Sequence, residues 1–144
     1  MSFSIEPATP ADLAAILDLL ASHRLPRAEV ERHLDTALVA REGGRIAGCA
    51  VLESCETVGL LRSVAVAQSQ RGLGLGIRLT EAGVALARAR GIKALYLLTE
   101  TAAGFFPRFG FRPVSRDEVA PAVRQSIEFT RACPASALAM VKDL

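Results

Sequence analysis

Apolar residues at the start of the chain follow two different spacings, which predict a strand and then helices. Phe3 and Ile5 alternate with polar residues, as in a short strand. Apolar residues then recur every three or four positions over 10–22, after a Thr9-Pro10 pair that is typical of a helix start. A second, shorter helix is predicted over 28–34.

The next part of the chain alternates between apolar runs and turn residues, which predicts a three-strand meander. Strands are predicted over 37–40 and 46–52, joined by a tight hairpin turn at Glu42-Gly43-Gly44-Arg45. The third run, 58–66, is apolar almost throughout. Such a run is typical of a central strand that is buried on both faces.

Helices and strands alternate in the second half. A long helix is predicted over 77–90, with Gly91 as its C-terminal cap, followed by a buried strand over 94–98. Three more elements are predicted towards the C-terminus: a short helix, a polar helical stretch and a last strand, at about 101–109, 117–131 and 135–141.

This order of elements predicts one domain over 1–144 of the α+β, or mixed α/β, class. Its sheet is expected to hold six or seven mostly antiparallel strands, with helices on both faces. One parallel pair is expected, because a helix crosses between the strands at 58–66 and 94–98. The apolar fraction of 51% in 144 residues is enough for one core.

Composition narrows the classes of function. A net charge of +2 is too small to indicate a nucleic-acid-binding surface. No membrane segment or signal peptide is evident, so we expect a cytoplasmic protein. Cys49, Cys55 and Cys133 lack metal-site spacing, and with only two histidines no metal is expected.

A glycine-rich loop, Arg71-Gly72-Leu73-Gly74-Leu75-Gly76, joins the 58–66 strand to the long helix. The free N–H groups and positive dipole at a helix start attract anions, and glycine lets a ligand approach the backbone. The spacing fits neither a Walker loop nor the dinucleotide fingerprint. The loop therefore indicates a phosphate site, with a tight turn that binds no ligand as the alternative.

Two segments together resemble the GNAT acetyltransferase superfamily: Val64-Ala65-Val66 with the glycine loop after it, and Phe105-Phe106-Pro107-Arg108-Phe109-Gly110-Phe111. The resemblance implies a GNAT-like fold and transfer of an acetyl group from acetyl-CoA to an amine. It also implies that the β-strand backbone contacts the pantetheine arm and the acetyl carbonyl, while the loop holds the pyrophosphate. The cofactor-binding residues expected on this basis are Val64, Ala65, Val66, Arg71, Gly72, Leu73, Gly74, Leu75, Gly76, Thr99, Thr101, Phe106 and Arg108.

Two positions depart from the family pattern. The tyrosine that often protonates the leaving thiolate is Phe106, and the glutamate that often acts as base is Leu60. The pKa of a CoA thiol is near that of free cysteine, roughly 8.5, so an acid helps the reaction without being required. A CoA-binding module without turnover therefore stays an alternative. Glu53, Glu56 and Glu100 are either bases that act through water or plain solvated carboxylates.

Three segments, Leu61–Val66, Leu97–Phe106 and the tail from Ser126 to Ala137, look closest to the arsenic-resistance N-acetyltransferase subfamily. The tail is also similar to the acetyltransferase domain of N-acetylglutamate synthases. These resemblances imply a small amino-acid-like amine acceptor, including a toxic analogue. Acetylation of a protein N-terminus or lysine is the alternative, and a homodimer is left open.

Arg62 stands within an otherwise apolar strand, where a charge must be paired. It forms either an internal ion pair with Glu53 or a two-hydrogen-bond clamp on an anionic group of the acceptor. In the tail, Arg116, Arg124 and Ser126 either complete such a pocket or lie on the surface. The residues expected to act in catalysis are Val64, Arg62 and Glu53. Those expected to bind the acceptor are Arg62, Arg124, Ser126 and Ser136.

Overall fold

The elements are those of a computed structural model, which describes residues 3–70, 74–99, 102–126 and 137–144. The strands are β1 Ser4–Pro7, β2 Ala37–Glu42, β3 Arg45–Cys55, β4 Val58–Val66, β5 Ala94–Thr99, β6 Arg112–Val114 and β7 Leu138–Asp143. The α-helices are α1 Leu13–Ser22, α2 Leu75–Ala89 and α3 Pro121–Arg124. Short 3-10 helices lie at Pro10–Asp12, Val30–Thr36, Gln68–Gln70, Phe106–Phe109 and Arg116–Glu118.

The described strands form one seven-stranded sheet in the order β1-β2-β3-β4-β5-β7-β6. Neighbouring strands are antiparallel except β4 and β5, which are parallel because α2 crosses between them. The mostly antiparallel mixed sheet and its single parallel pair are therefore confirmed, and β4 is the central strand. No helix in the described ranges is long and apolar enough to cross a membrane.

The hairpin between β2 and β3 turns at the two glycines that the sequence indicated. Gly43 and Gly44 have φ values of 55° and 88°, which glycine adopts without steric cost. Two successive positive φ angles match the twist of the flanking strands, so this short turn closes the hairpin.

The parallel strands β4 and β5 pair over only three residues. Val58, Gly59 and Leu60 face Ala94, Leu95 and Tyr96, and the ladder between the described strands stops there. On its other edge, β5 pairs with β7 along its whole length. The C-terminal half of β4, from Leu61 to Val66, is thus open on the side of β5, which leaves a wedge between the two strands.

A β-bulge interrupts β4 in this open half. Cys49 pairs with Ala65 and Val51 pairs with Arg62, so three residue steps on β4 match two on β3. Ser63 in the bulge has a φ of +59°, a left-handed conformation that is uncommon for serine. The bulge turns the backbone at the point where the wedge opens.

The core is divided between the two faces of the sheet. On one face α2 packs against Ala50, Leu52 and Leu61. On the other face α1 packs against the buried side chains Val39, Cys49, Val51 and Ala65. A third cluster, under the α3 segment, contains Leu60, Val119, Val123 and Ala139.

Several predicted elements differ from those observed. The second helix is a 3-10 helix at Val30–Thr36, and only Phe106–Phe109 of the short helix predicted over 101–109 is helical in the described residues. The three-residue strand β6 was not predicted, because it is short and contains Pro113.

The polar helix predicted over 117–131 is also wrong in its described part. It breaks into two short helical segments, the 3-10 helix Arg116–Glu118 and α3, because Pro121 keeps Ala120 extended, with ψ 137°. Residues 127–131 of that prediction, and the first two residues of the strand predicted over 135–141, lie outside the described residues.

Candidate active site

The wedge between β4 and β5 exposes one backbone edge of the bulged strand. Val64 and Val66 are half-buried and point towards the α2 layer, whereas Ala65 is buried on the α1 side. Over these residues the described part of the chain provides no ladder partner on the β5 side. Backbone N–H and C=O groups on this edge can therefore bind an extended ligand in the way that an added strand would.

The first turn of α2 lies at one end of the wedge. Gly74 caps the helix with a φ of 75°, and Leu75 is buried beneath it. A Cβ on Gly76 would lie 3.7 Å from Phe105 Cζ and from Val66 Cγ2, an ordinary contact distance. Packing among the described residues therefore does not require glycine at position 76. Arg71, Gly72 and Leu73 lie outside the described residues.

A cluster of aromatic rings covers the start of α2. Phe105 meets the Phe106 and Phe109 rings edge-on at 5.1 and 5.2 Å between centroids. The Arg108 guanidinium lies 4.8 Å from the centroid of the Phe105 ring, as a cation–π contact. Phe106 is only 7% exposed and packs edge-on against Phe111. Phe106 therefore fills the core, and its ring has no proton to donate.

Thr99 has a local structural role. Its hydroxyl oxygen accepts a hydrogen bond of 2.9 Å from the Ala102 backbone N–H, which fixes the turn after β5. Thr101, which was also predicted to contact the cofactor, lies outside the described residues, as does Glu100.

The Arg62 side chain is completely enclosed, with 0% of it exposed. Its Nη1 donates to Glu53 Oε2 at 2.8 Å, so the ion pair that the sequence offered as one of two interpretations is present. Glu53 and Arg62 are diagonal neighbours on adjacent strands, because Val51 is the direct partner of Arg62. Two long side chains on the same face of the sheet can therefore meet.

The second carboxylate oxygen of Glu53 has partners from other segments. Ser126, just after α3, donates its hydroxyl to Glu53 Oε1 at 2.9 Å. His33 Nε2 lies 3.6 Å from the same oxygen. The structure thus brings Glu53, Arg62 and Ser126 together as the sequence suggested. It adds His33, whose approach to Glu53 the spacing of residues along the chain does not indicate.

These polar groups form one end of a small cavity with a volume of about 50 Å³. The cavity lies below α3, on the face of the β3–β4 hairpin opposite α2. His33, Glu53 and Ser126 form its polar end. Its apolar walls include Val58, Leu60 and Val123. Leu60 is also the last residue of β4 to pair with β5, so the cavity lies where the wedge begins.

Other predicted residues lie outside this cluster. Arg124 is exposed at the end of α3, and Arg116 donates to the Ala137 carbonyl oxygen at 2.8 Å. Ser136 and Cys133 are outside the described residues. Burial raises the pKa of the Cys49 thiol to about 12, so this cysteine stays protonated in the core and serves as strand packing.

The central bulged strand, the open wedge and the helix start beside it define a fold with a slot for an extended ligand that carries an anionic group. Residues 33–113, more than half of the chain, match the family model described as "Acetyltransferase (GNAT) domain". The chain therefore belongs to the GNAT acetyltransferase family. This confirms the family resemblance and the fold expected from the sequence.

The curated relatives agree with this assignment, and the solved structures agree with the fold. An amino-acid acetyltransferase of Pseudomonas fluorescens is 32% identical in an alignment of 132 positions, which covers 85% of this chain and 30% of the relative. The chain thus spans less than a third of the length of that protein. N-acetylglutamate synthase from Neisseria gonorrhoeae, solved with coenzyme A and N-acetyl-glutamate, has a TM-score of 0.83 and 24% identity over 100% of this chain and 35% of its own. A Mycobacterium tuberculosis protein solved in complex with CoA also gives a TM-score of 0.83, at 21% identity over 98% of this chain and 99% of that one.

Proposed function

We propose that this protein transfers the acetyl group of acetyl-CoA to the amine of a small, amino-acid-like acceptor. The observation that carries the proposal is the placement of the Glu53 carboxylate in a small cavity at the point where β4 and β5 separate. The similarity to amino-acid acetyltransferases over 85% of the chain supports the class of acceptor.

The described residues fit a coenzyme A molecule in the wedge. The open edge of β4 offers backbone groups of Val64 and Val66 to the amides of the pantetheine arm. The N–H groups at the start of α2, around Gly74 and Gly76, suit the pyrophosphate, since a helix start favours anions. Residues proposed for the same donor site but outside the described ranges are Arg71, Gly72, Leu73 and Thr101. The coenzyme supplies an acetyl thioester.

Catalysis then requires a neutral amine, a proton acceptor and a donor for the developing oxyanion. We assign the oxyanion contact to the Val64 N–H, which lies in the bulged part of β4. Glu53, which lines the cavity, would take the proton of the amine through a water molecule, with its Oε2 held by Arg62 and its Oε1 accepting from Ser126. Because Phe106 is a core residue with no proton to give, the CoA thiolate would leave without an acid at that position.

The size of the cavity favours a small acceptor over a protein. Its volume of about 50 Å³ is well below the roughly 300–1,000 Å³ of typical drug-sized ligand sites. The α3 segment covers the cavity through the contact of Ser126 with Glu53. An extended polypeptide would need a more open groove, so acetylation of a protein terminus or lysine is the second candidate.

Finer parts of the proposal depend on the resemblances. Toxic amino-acid analogues, including organoarsenicals, belong to the proposed acceptor class through the arsenic-resistance subfamily. Ser126 would contact the acceptor in the cavity, and Ser136 and Arg124 are proposed as further contacts from the tail. A cytoplasmic location is proposed, and the two described cysteines, Cys49 and Cys55, are both free, as in a reducing compartment.

The direct test is a thiol-release assay on the purified protein with acetyl-CoA and a panel of amines. The panel should contain the amino acids, phosphinothricin-type analogues, and peptides with free N-termini or lysines. Rapid release with an amino acid or analogue, with the acetylated product confirmed by mass spectrometry, supports the proposal. Release with peptides alone would favour the second candidate. Tight CoA binding without release by any amine would indicate a binding module.

A further inference from the structure

Arg62 connects three separate segments of the chain through one guanidinium group. Nε donates to Ser63 Oγ at 3.1 Å, Nη1 to Glu53 Oε2 at 2.8 Å and Nη2 to the Pro26 carbonyl oxygen at 3.4 Å. Ser63 belongs to the β4 bulge, Glu53 to β3, and Pro26 to the loop between α1 and the 3-10 helix at Val30–Thr36. The planar fork of arginine can hold all three acceptors in fixed directions, which the single ammonium of lysine cannot.

The bulge needs such support because its backbone is held in an unfavourable conformation. A non-glycine residue at φ +59° persists only where its surroundings determine it. Ser63 is held twice: its hydroxyl accepts from Arg62, and its carbonyl oxygen accepts from Cys49 Sγ at 3.2 Å. Arg62 therefore stabilises the same bulge that positions the Val64 N–H.

The burial of Arg62 argues against contact with the acceptor. Its side chain is 0% exposed, whereas the Glu53 side chain is 13% exposed and lines the cavity. A ligand in the cavity would meet the carboxylate and not the guanidinium. The positive charge is instead used within the chain, to balance and orient the carboxylate.

We infer that Arg62 is a positioning residue that holds the β4 bulge and the Glu53 carboxylate in a fixed relation, without contacting the acceptor. The inference rests on the proposed function, in which the bulge and Glu53 act on the same amine. It replaces the acceptor clamp that the sequence suggested for this arginine.

The test is Arg62→Lys, which retains the charge but cannot satisfy all three acceptors. A misplacement of catalytic groups by about 1 Å can cost up to about 100-fold. We expect kcat to fall at least about tenfold, while the KM for the acceptor stays within about twofold of the wild type. A rise in acceptor KM as large as the fall in kcat would identify a clamp and overturn the inference. Unchanged values of both parameters would overturn it as well.

Arg41→Lys is the matched control, because the Arg41 guanidinium also donates three hydrogen bonds, two to Asp12 and one to Glu6, but does not line the cavity. Its kcat and KM should equal those of the wild type. If Arg62→Lys does not fold, Ser63→Ala and Ser63→Gly decide the matter. Alanine should lower kcat more than glycine, since only glycine adopts the bulge conformation without support. Equal effects of the two would overturn the inference.

Amide hydrogen exchange separates this inference from the proposed function. Arg62→Lys should speed exchange across Val58–Val66, and Arg41→Lys should leave that segment unchanged. If the wild type releases no thiol with any amine, the proposed function fails, yet the exchange result still tests the role of Arg62. Equal exchange in wild type and Arg62→Lys would overturn the inference whatever the activity.

Discussion

Glu53 lies directly opposite Leu60 in the β3–β4 ladder. Leu60 is the position at which the family pattern places a glutamate on the central strand, so here the carboxylate comes from the neighbouring strand. Cross-strand partners point to the same face of a sheet, and therefore both residues line the cavity. The departure from the family pattern at position 60 is thus accompanied by a carboxylate in the same region of space.

Glu53→Gln should abolish most of the activity while it keeps the shape of the side chain. A positioned general base contributes typically about 100- to 10,000-fold, so we expect kcat to fall within that range. The thiol-release assay at saturating acetyl-CoA measures the change. Glu81→Gln, on the exposed face of α2, is the control and should retain the wild-type rate. A Glu53→Gln enzyme with full kcat would exclude Glu53 as the base.

The central strand could be predicted from the sequence with both bounds, because turn signals flank an apolar run at Val58–Val66. The bulge within it could not. A bulge depends on the register of two strands, which the sequence does not state. Position 63 has a positive φ but is a serine, so no glycine marks this conformation in the sequence. Strand β6 was missed because three residues with a proline carry no periodic signal.

The site was predictable only in part, for a related reason. Arg62 in an apolar strand indicates a buried partner, and alternation along the strand places it on the same face as Leu60. The approach of His33 to Glu53 depends on how a 3-10 helix packs over the β3–β4 hairpin, which spacing along the chain does not encode. Similarly, the contact of Ser126 with Glu53 joins residues 73 positions apart.

Gly48→Ala should destabilise the protein by about 1–3 kcal/mol, as overpacking of a core does. A Cβ there would lie 2.7 Å from Leu79 Cδ1 of α2 and 2.9 Å from the Ala65 carbonyl oxygen, and the backbone atom cannot move freely. Urea denaturation measures the loss. Gly104→Ala is the control, since a Cβ at that position meets no atom within 4 Å. Equal stability of Gly48→Ala and the wild type would contradict the tight packing of α2 on the sheet.

Stability should fall in acid through the ion pairs of Arg41. Hydrogen bonds from Arg41 hold the pKa values of Asp12 and Glu6 below their ordinary values. Each carboxylate therefore binds fewer protons in the folded state, so its stabilising contribution is complete above the unfolded pKa of about 4 and is lost as the pH falls through the folded pKa.

Asp12→Asn removes this contribution from the buried member of the cluster. We expect the variant to be less stable than the wild type at pH 7, and to lose less stability between pH 5 and pH 3. Urea denaturation at several pH values measures both effects. Asp18→Asn, at an exposed position of α1, should follow the wild-type curve. Parallel curves for Asp12→Asn and the wild type would show that Asp12 is not coupled to folding.

Cys55 should report occupation of the cavity by its reactivity. It is exposed and lines the cavity, so we expect a maleimide to label it in the folded protein. Cys49 is buried with a raised pKa and should remain unlabelled until the protein unfolds, which makes it an internal control. An acceptor that binds in the cavity should slow the labelling of Cys55 severalfold, and an amine that is not acetylated should not. Peptide mapping by mass spectrometry assigns the label to each cysteine. Labelling of Cys55 at the same rate with and without a saturating acceptor would place the acceptor outside this cavity.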